Sequence, residues 1–239
     1  MPVRRPRYAT LDALLRDELV REEDPATAAL IRDLAGVRAR GAFTRAEFRR
    51  MCRWKSPRAR LLWETNSARR VRAVARAVLA TRSERRRMEL LTSLHGVGVP
   101  IASAILTLID PRRYGVLDIR CWQLLFAIRS VKTNQRGQGF TIQQWEEYLS
   151  ALRHHARRLG VTARAIEYTL FECHRKLQTG TLYRSESERR LRRRNPVLGE
   201  AGRSAPKARD DRRKGGEAPL PSARRAPSPL VCERARGRP

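Results

Sequence analysis

Two short stretches hold residue types that could do chemistry. One is His95-Gly96-Val97-Gly98, two glycines around a valine between apolar-periodic segments. The other is Val116-Leu117-Asp118-Ile119-Arg120, a carboxylate between an apolar pair and a fresh helical pattern. A single fixed carboxylate can stabilise positive charge developing on a neighbouring atom, and can orient or deprotonate an attacking water. Glycines at this spacing permit positive φ and the close approach of another backbone. A helix beginning after Gly98 would present free N–H groups and its positive dipole end over Gly98–Ile101, which suits a phosphate. Val97 would pack inward and brace the turn. Each stretch also has a plainer reading: the glycine pair as a tight turn between helices, and Asp118 as the N-cap of the helix it precedes.

The elements that must position these residues read as helices. Leu91, Leu94, Ile101, Ile105 and Leu108 supply facing apolar sides of two helices around the glycine turn. Thr10 can cap a helix to about Arg21, and Asp24-Pro25 opens one that stops near Gly41. Thr44 with Glu47 forms a capping box for a helix that Ser56-Pro57 ends, and a further helix then runs to about Thr65. Ser67 caps a helix to Ala80, and Ser83 starts the one leading to His95. Thr141 with Gln144 is a second capping box with Gly160 as its stop, and Thr162 opens a last helix ending before Gly180. No stretch alternates like a half-buried strand, so the expected class is all-α with about ten helices.

Charge narrows the partner. The 239 residues hold 52 Lys+Arg against 24 Asp+Glu, a net +28, and such a field attracts polyanions, nucleic acid above all. Only Lys55, Lys132, Lys176, Lys207 and Lys214 are lysines; the arginine and alanine bias also fits a GC-rich coding sequence. From Arg184 to Pro239, 17 basic and 7 acidic residues mix with Pro, Gly and Ser without apolar periodicity, which reads as a disordered basic tail. Most of the excess charge therefore belongs to residues 9–183, the part expected to fold, with residues 1–8 a disordered lead-in. No run is long and apolar enough to span a membrane, and the N-terminus lacks a signal-peptide pattern. A cytoplasmic, nucleoid-associated monomer is expected, binding double-stranded DNA and, through the tail, RNA. Cys52, Cys121, Cys173 and Cys232 lack the spacing of a zinc or iron–sulfur site, and adjacent His154 and His155 point about 100° apart on a helix, so no metal or cofactor is expected.

With those residues in view, the segment 84–129 resembles the helix-hairpin-helix DNA glycosylase superfamily, which includes endonuclease III and the adenine-mismatch and 8-oxoguanine glycosylases. The resemblance rests on Leu94-His95-Gly96-Val97-Gly98, a helix, a loop, and Asp118 opening the next helix. The Gly96-to-Asp118 interval matches the first two branches without a gap, and Asp118-Ile119-Arg120-Cys121-Trp122 resembles the 8-oxoguanine branch. It is strong over about forty residues, and over 40–180 it is only an all-helical pattern. It implies two helical lobes with a cleft between them. It also implies a hairpin of Gly96, Val97, Gly98 and Pro100 on DNA phosphates, and Asp118 as the catalytic carboxylate of base excision repair. The family's Schiff-base lysine position is Pro100 here, which has no amine, so the resemblance implies a monofunctional enzyme that uses water. Arg120 stands where the family often has histidine and is either a phosphate contact or solvated. Tyr114 and Trp122 are candidate pocket residues, Trp122 with an equally natural place in the core. Arg53-Trp54-Lys55-Ser56-Pro57-Arg58, with Asn66 downstream, either faces the cleft or is a packed tryptophan among solvated charges. Lys55 is the candidate for a replacement amine. A non-catalytic nucleic-acid-binding protein, or an enzyme acting on modified invading DNA, are the alternatives.

Overall fold

A computed structural model describes residues 6–179 and 182; residues 1–5 and the stretch 184–239 expected as a tail lie outside them. Among the described residues the chain is all-α. The helices are α1 (Leu11–Glu18), α2 (Pro25–Leu34), α3 (Val37–Arg40), α4 (Arg45–Lys55), α5 (Arg60–Trp63), α6 (Ala68–Ala80), α7 (Glu84–Thr92), α8 (Val99–Ile109), α9 (Ile119–Ala127), α10 (Ile142–Leu159) and α11 (Ala163–Leu177). A 3-10 turn, Pro57–Ala59, leads into α5. No helix among these residues is long and apolar enough to cross a membrane.

The side-chain caps read from the sequence are in place. Thr44 with Glu47 and Thr141 with Gln144 both form complete capping boxes, and Asp24 accepts from the Thr27 N–H with Pro25 behind it. Two boundaries differ. The helix expected over 25–41 breaks at Ala35-Gly36 into α2 and α3 before Gly41 closes it in the left-handed region. α1 stops at Glu18 rather than Arg21, because the Val20 N–H leaves the helical path and donates to Thr169 Oγ1 of α11 at 3.0 Å. A tertiary partner there outweighs local propensity.

Packing is organised around α8, whose residues are buried almost from end to end. α2, α4 and α7 lie against it, while α1, α9 and α10 gather on α11. The two lobes expected from the resemblance are not separate: the described residues form one compact unit around one continuous apolar cluster, which includes Trp63, Ile105, Trp122, Trp145 and Leu170. The C-terminal end of α4 and the N-terminal ends of α8 and α9 come together at one groove.

Candidate functional site

The hairpin between α7 and α8 is built by one glycine and offered to solvent by the other. Gly96 has φ +74°, and a Cβ there would meet Leu62 Cβ at 2.6 Å and the Trp63 nitrogen at 2.8 Å. Only glycine fits this approach. Buried Asn66 locks the same junction: its Oδ1 accepts from the His95 N–H at 2.9 Å, and its Nδ2 donates to the His95 and Trp63 carbonyls, each at 2.9 Å. Asn66 is therefore a brace rather than a base-reading residue. Gly98 is different. Its φ of −86° is open to any residue, and an added Cβ would come no closer than 3.8 Å to Pro100. Nothing within the fold demands glycine at 98, yet it leaves the mouth of α8 bare. Pro100 has no N–H and the Ile101 N–H bonds the Gly98 carbonyl at 3.0 Å, so the first-turn amides left without an acceptor are those of exposed Gly98 and of Val99, itself a largely buried residue. That set is smaller than the Gly98–Ile101 run expected. Val97 packs inward, as the sequence suggested.

The chain segment carrying Asp118 is pinned from both sides. Tyr148 donates its hydroxyl to the Val116 carbonyl at 3.0 Å, and the Leu117 N–H donates to buried Ser103 Oγ of α8 at 3.0 Å. Asp118 then divides its oxygens. Oδ1 accepts from the Arg120 and Cys121 N–H groups at 2.8 and 3.2 Å, capping α9; Oδ2 accepts from Lys55 Nζ at 3.2 Å. Both side chains are mostly enclosed, 17% exposed for Asp118 and 16% for Lys55. Burial alone would push the carboxyl up, but the Lys55 ammonium and the two amides more than offset it and hold Asp118 below the ordinary carboxylate range.

This pair sits in the wall of a groove of about 520 Å³, with Arg58, Gly98, Pro100 and Arg120 around it and Gly137–Phe140 forming the facing edge. No pattern in the sequence points to the Gly137–Phe140 edge. It is held by α9: Trp122 Nε1 donates to the Thr133 carbonyl at 3.1 Å and Gln123 Nε2 to the Arg136 carbonyl at 3.0 Å. Trp122 is thus a fully buried anchor of the loop, not a wall of the groove. Tyr114 is also placed elsewhere, its hydroxyl donating to Glu84 at 2.8 Å and its ring stacked on Trp145. Arg120 does line the groove, with its guanidinium 5.4 Å over the Phe171 ring and bonded to Gln178. Trp54 lines a smaller cavity of about 260 Å³ that shares the Lys55–Asp118 pair with the groove. Beside the hairpin, Leu61 is 85% exposed and Leu62 49%.

Lys55 and Asp118 are 63 residues apart, so spacing could not have joined them; the scarcity of lysine in so basic a chain was the one available hint. Among the described residues no group of three His, Cys, Asp or Glu side chains could hold a metal ion. Comparison with models of known protein families, with curated proteins and with solved structures finds no match to this chain.

Proposed function

We propose that the chain is a monofunctional DNA N-glycosylase, hydrolysing the bond between deoxyribose and an altered or mismatched base with Asp118 as the essential carboxylate. The observation that carries this reading is the division of Asp118: one oxygen is fixed by the helix it caps, and the other is held by Lys55 where the pair lines the groove. Duplex DNA would rest its phosphates on the bare amides of Gly98 and Val99, with Arg58 and Arg120 nearby. Extruding a nucleotide costs a few kcal/mol of stacking and pairing. Leu61, projecting beside the hairpin, suits the apolar wedge that offsets this by filling the vacated stack. As the C1′–N bond breaks, positive charge spreads over the sugar ring, and the Asp118 carboxylate would face it. A carboxylate held below its usual range is a weak base, so its main contribution is charge stabilisation and water orientation. The electron pair of the broken bond leaves with the base, water supplies the hydroxyl on C1′, and the water's remaining proton goes to the departing base.

A second reading has an observation of its own. Lys55 Nζ lies 3.2 Å from Asp118, so the amine missing at Pro100 reaches the same carboxylate from α4. Deprotonated, it could attack C1′ in place of water and form an imine. The experiment for the first reading incubates the full chain with a panel of modified-base duplexes and scores abasic sites. Base release that leaves an intact abasic strand supports hydrolysis. Tight duplex binding with no release from any member would make the chain a binding protein.

A further inference from the structure

The loop between α9 and α10 holds one residue against the groove. Gly137 turns through φ +61° and packs so closely on the first turn of α9 that a Cβ there would meet the Ile119 carbonyl oxygen at 3.2 Å and Trp122 Cβ at 3.4 Å. Gly139 turns the chain again at φ +63°. Between them, Gln138 has both backbone groups taken by a single side chain. Asn134 Nδ2 donates to its carbonyl at 3.0 Å, and Asn134 Oδ1 accepts its N–H at 3.3 Å. The Gly137 N–H closes the same turn onto the Asn134 carbonyl at 2.8 Å. What Gln138 has left to offer is its side-chain amide, exposed and without a partner among the described residues. Because Gly137 rests on Ile119, the tip is tied to the turn of α9 that Asp118 caps. Phe140 follows two residues on, half-buried, its ring 5.5 Å from that of Trp122 and inclined at 68°.

Gln138 and Phe140 both line the groove that Lys55 and Asp118 line from the other wall. The chemistry of the two sides differs. The groove's cations are Lys55, Arg58 and Arg120; the loop's own Lys132 and Arg136 do not line it. A phosphate offers only acceptors and is met by cations and N–H groups. A carboxamide sets a donor beside an acceptor, which matches the edge of a nucleobase, and an aromatic ring offers a face on which a base stacks. Resting on the glycosylase reading, we infer that Gln138 is the residue that reads the extruded base, pairing its amide with an edge that carries a donor next to an acceptor, while Phe140 stacks on the face of the base. A groove of about 520 Å³ accommodates a base together with its sugar, so the sugar meets Asp118 as the base meets Gln138. Gln138 lies outside the 84–129 segment that carries the resemblance.

Two duplexes test the assignment without turnover. Each carries one nucleotide opposite an abasic site, where extrusion costs least. One has thymine and the other difluorotoluene, its isostere with neither N–H nor carbonyl groups, both on a 2′-fluoro-arabino sugar that resists loss of the base. Fluorescence anisotropy should show the full chain binding the thymine duplex about fivefold tighter or more. Gln138→Ala and the near-isosteric Gln138→Leu should bring the two within about twofold, with circular dichroism and Tm unchanged. Phe140→Leu, which keeps an apolar side chain against Trp122, should weaken both probes alike by about fivefold. Equal wild-type affinities, a preference that survives both Gln138 variants, or unchanged binding in Phe140→Leu overturns the inference. Incubation with modified-base duplexes separates this idea from the one beneath it. Base release by a chain that binds the two probes equally overturns the role of Gln138 and leaves the glycosylase. A preference abolished in the Gln138 variants, with no release from any duplex, overturns the glycosylase and leaves Gln138 as the reader of an extruded base in a binding protein.

Discussion

Replacing Asp118 with asparagine separates its two jobs. The amide keeps an oxygen for the Arg120 and Cys121 N–H groups, so the cap on α9 survives. What disappears is the charge on the oxygen facing Lys55, and with it a charge-assisted hydrogen bond between two largely enclosed groups. Such a bond contributes about 1.5–3 kcal/mol. In a domain of this size that lowers Tm by roughly 3–12 °C. The effect on base release should be far larger, because a neutral amide cannot face an oxocarbenium-like sugar as a carboxylate does. Loss of one positioned charge-stabilising group costs about 10²–10³ in rate, or roughly 3–4 kcal/mol of barrier. Single-turnover release followed by strand cleavage in alkali measures the rate, and a fluorescence-anisotropy titration measures duplex affinity, which should stay within a few-fold. Asp118→Ala removes the cap as well and should cost about 0.5–2 kcal/mol more stability. A rate within about threefold of wild type, alongside the expected fall in Tm, would mean that Asp118 is a cap and nothing more.

Four further outcomes rest on the same structure. Gly96→Ala should destabilise the fold by about 2 kcal/mol or more, from positive φ and a Cβ against Leu62 and Trp63; Gly98→Glu should melt like wild type yet bind every duplex more weakly, and unchanged binding would take the hairpin off the DNA. Borohydride should leave no protein–DNA adduct, since Pro100 has no amine and Lys55 is engaged by Asp118 at 3.2 Å; an adduct mapped by mass spectrometry to Lys55 would transfer the account to the covalent reading. Buried His174, pushed down to about 4 mainly by burial and also by Arg120, binds its proton less readily folded than unfolded. Its contribution is therefore complete above pH 6.5 and is lost as pH falls from 6.5 toward 4, by at most about 3 kcal/mol. Denaturant titrations across that window should show the slope, and a His174→Gln variant with the same slope would refute the assignment.

What the sequence made legible was whatever depends on neighbours in the chain. Thr44 and Glu47, Thr141 and Gln144, Asp24 and Pro25 satisfy helix ends locally, so the helices they open were readable from spacing alone. The glycine turn and the cap at Asp118 were visible for the same reason. Contacts between distant segments were not. Lys55 reaches Asp118 only because α4 packs on α8, and the groove's edge at Gly137–Phe140 depends on what Trp122 and Gln123 hold across the loop. Tyr114 and Trp122 flank Asp118 in sequence, and that nearness suggested a pocket; burial sends both side chains into the core instead. Two neighbouring glycines looked alike as letters, but one closes the fold and the other leaves a surface bare.

The central claim is that the Asp118 carboxylate is arranged to meet positive charge at a sugar held in the groove. It can be tested without knowing the base. Two duplexes would be compared, one with a pyrrolidine nitrogen, protonated at neutral pH, in the place of C1′ of a single nucleotide, the other with the neutral tetrahydrofuran equivalent. The account predicts that the wild-type chain binds the cationic duplex about 100-fold tighter or more, as expected for a mimic of the transition state, and that Asp118→Asn brings the two within about threefold. Equal affinities in the wild type, or a preference that survives Asp118→Asn, would contradict it.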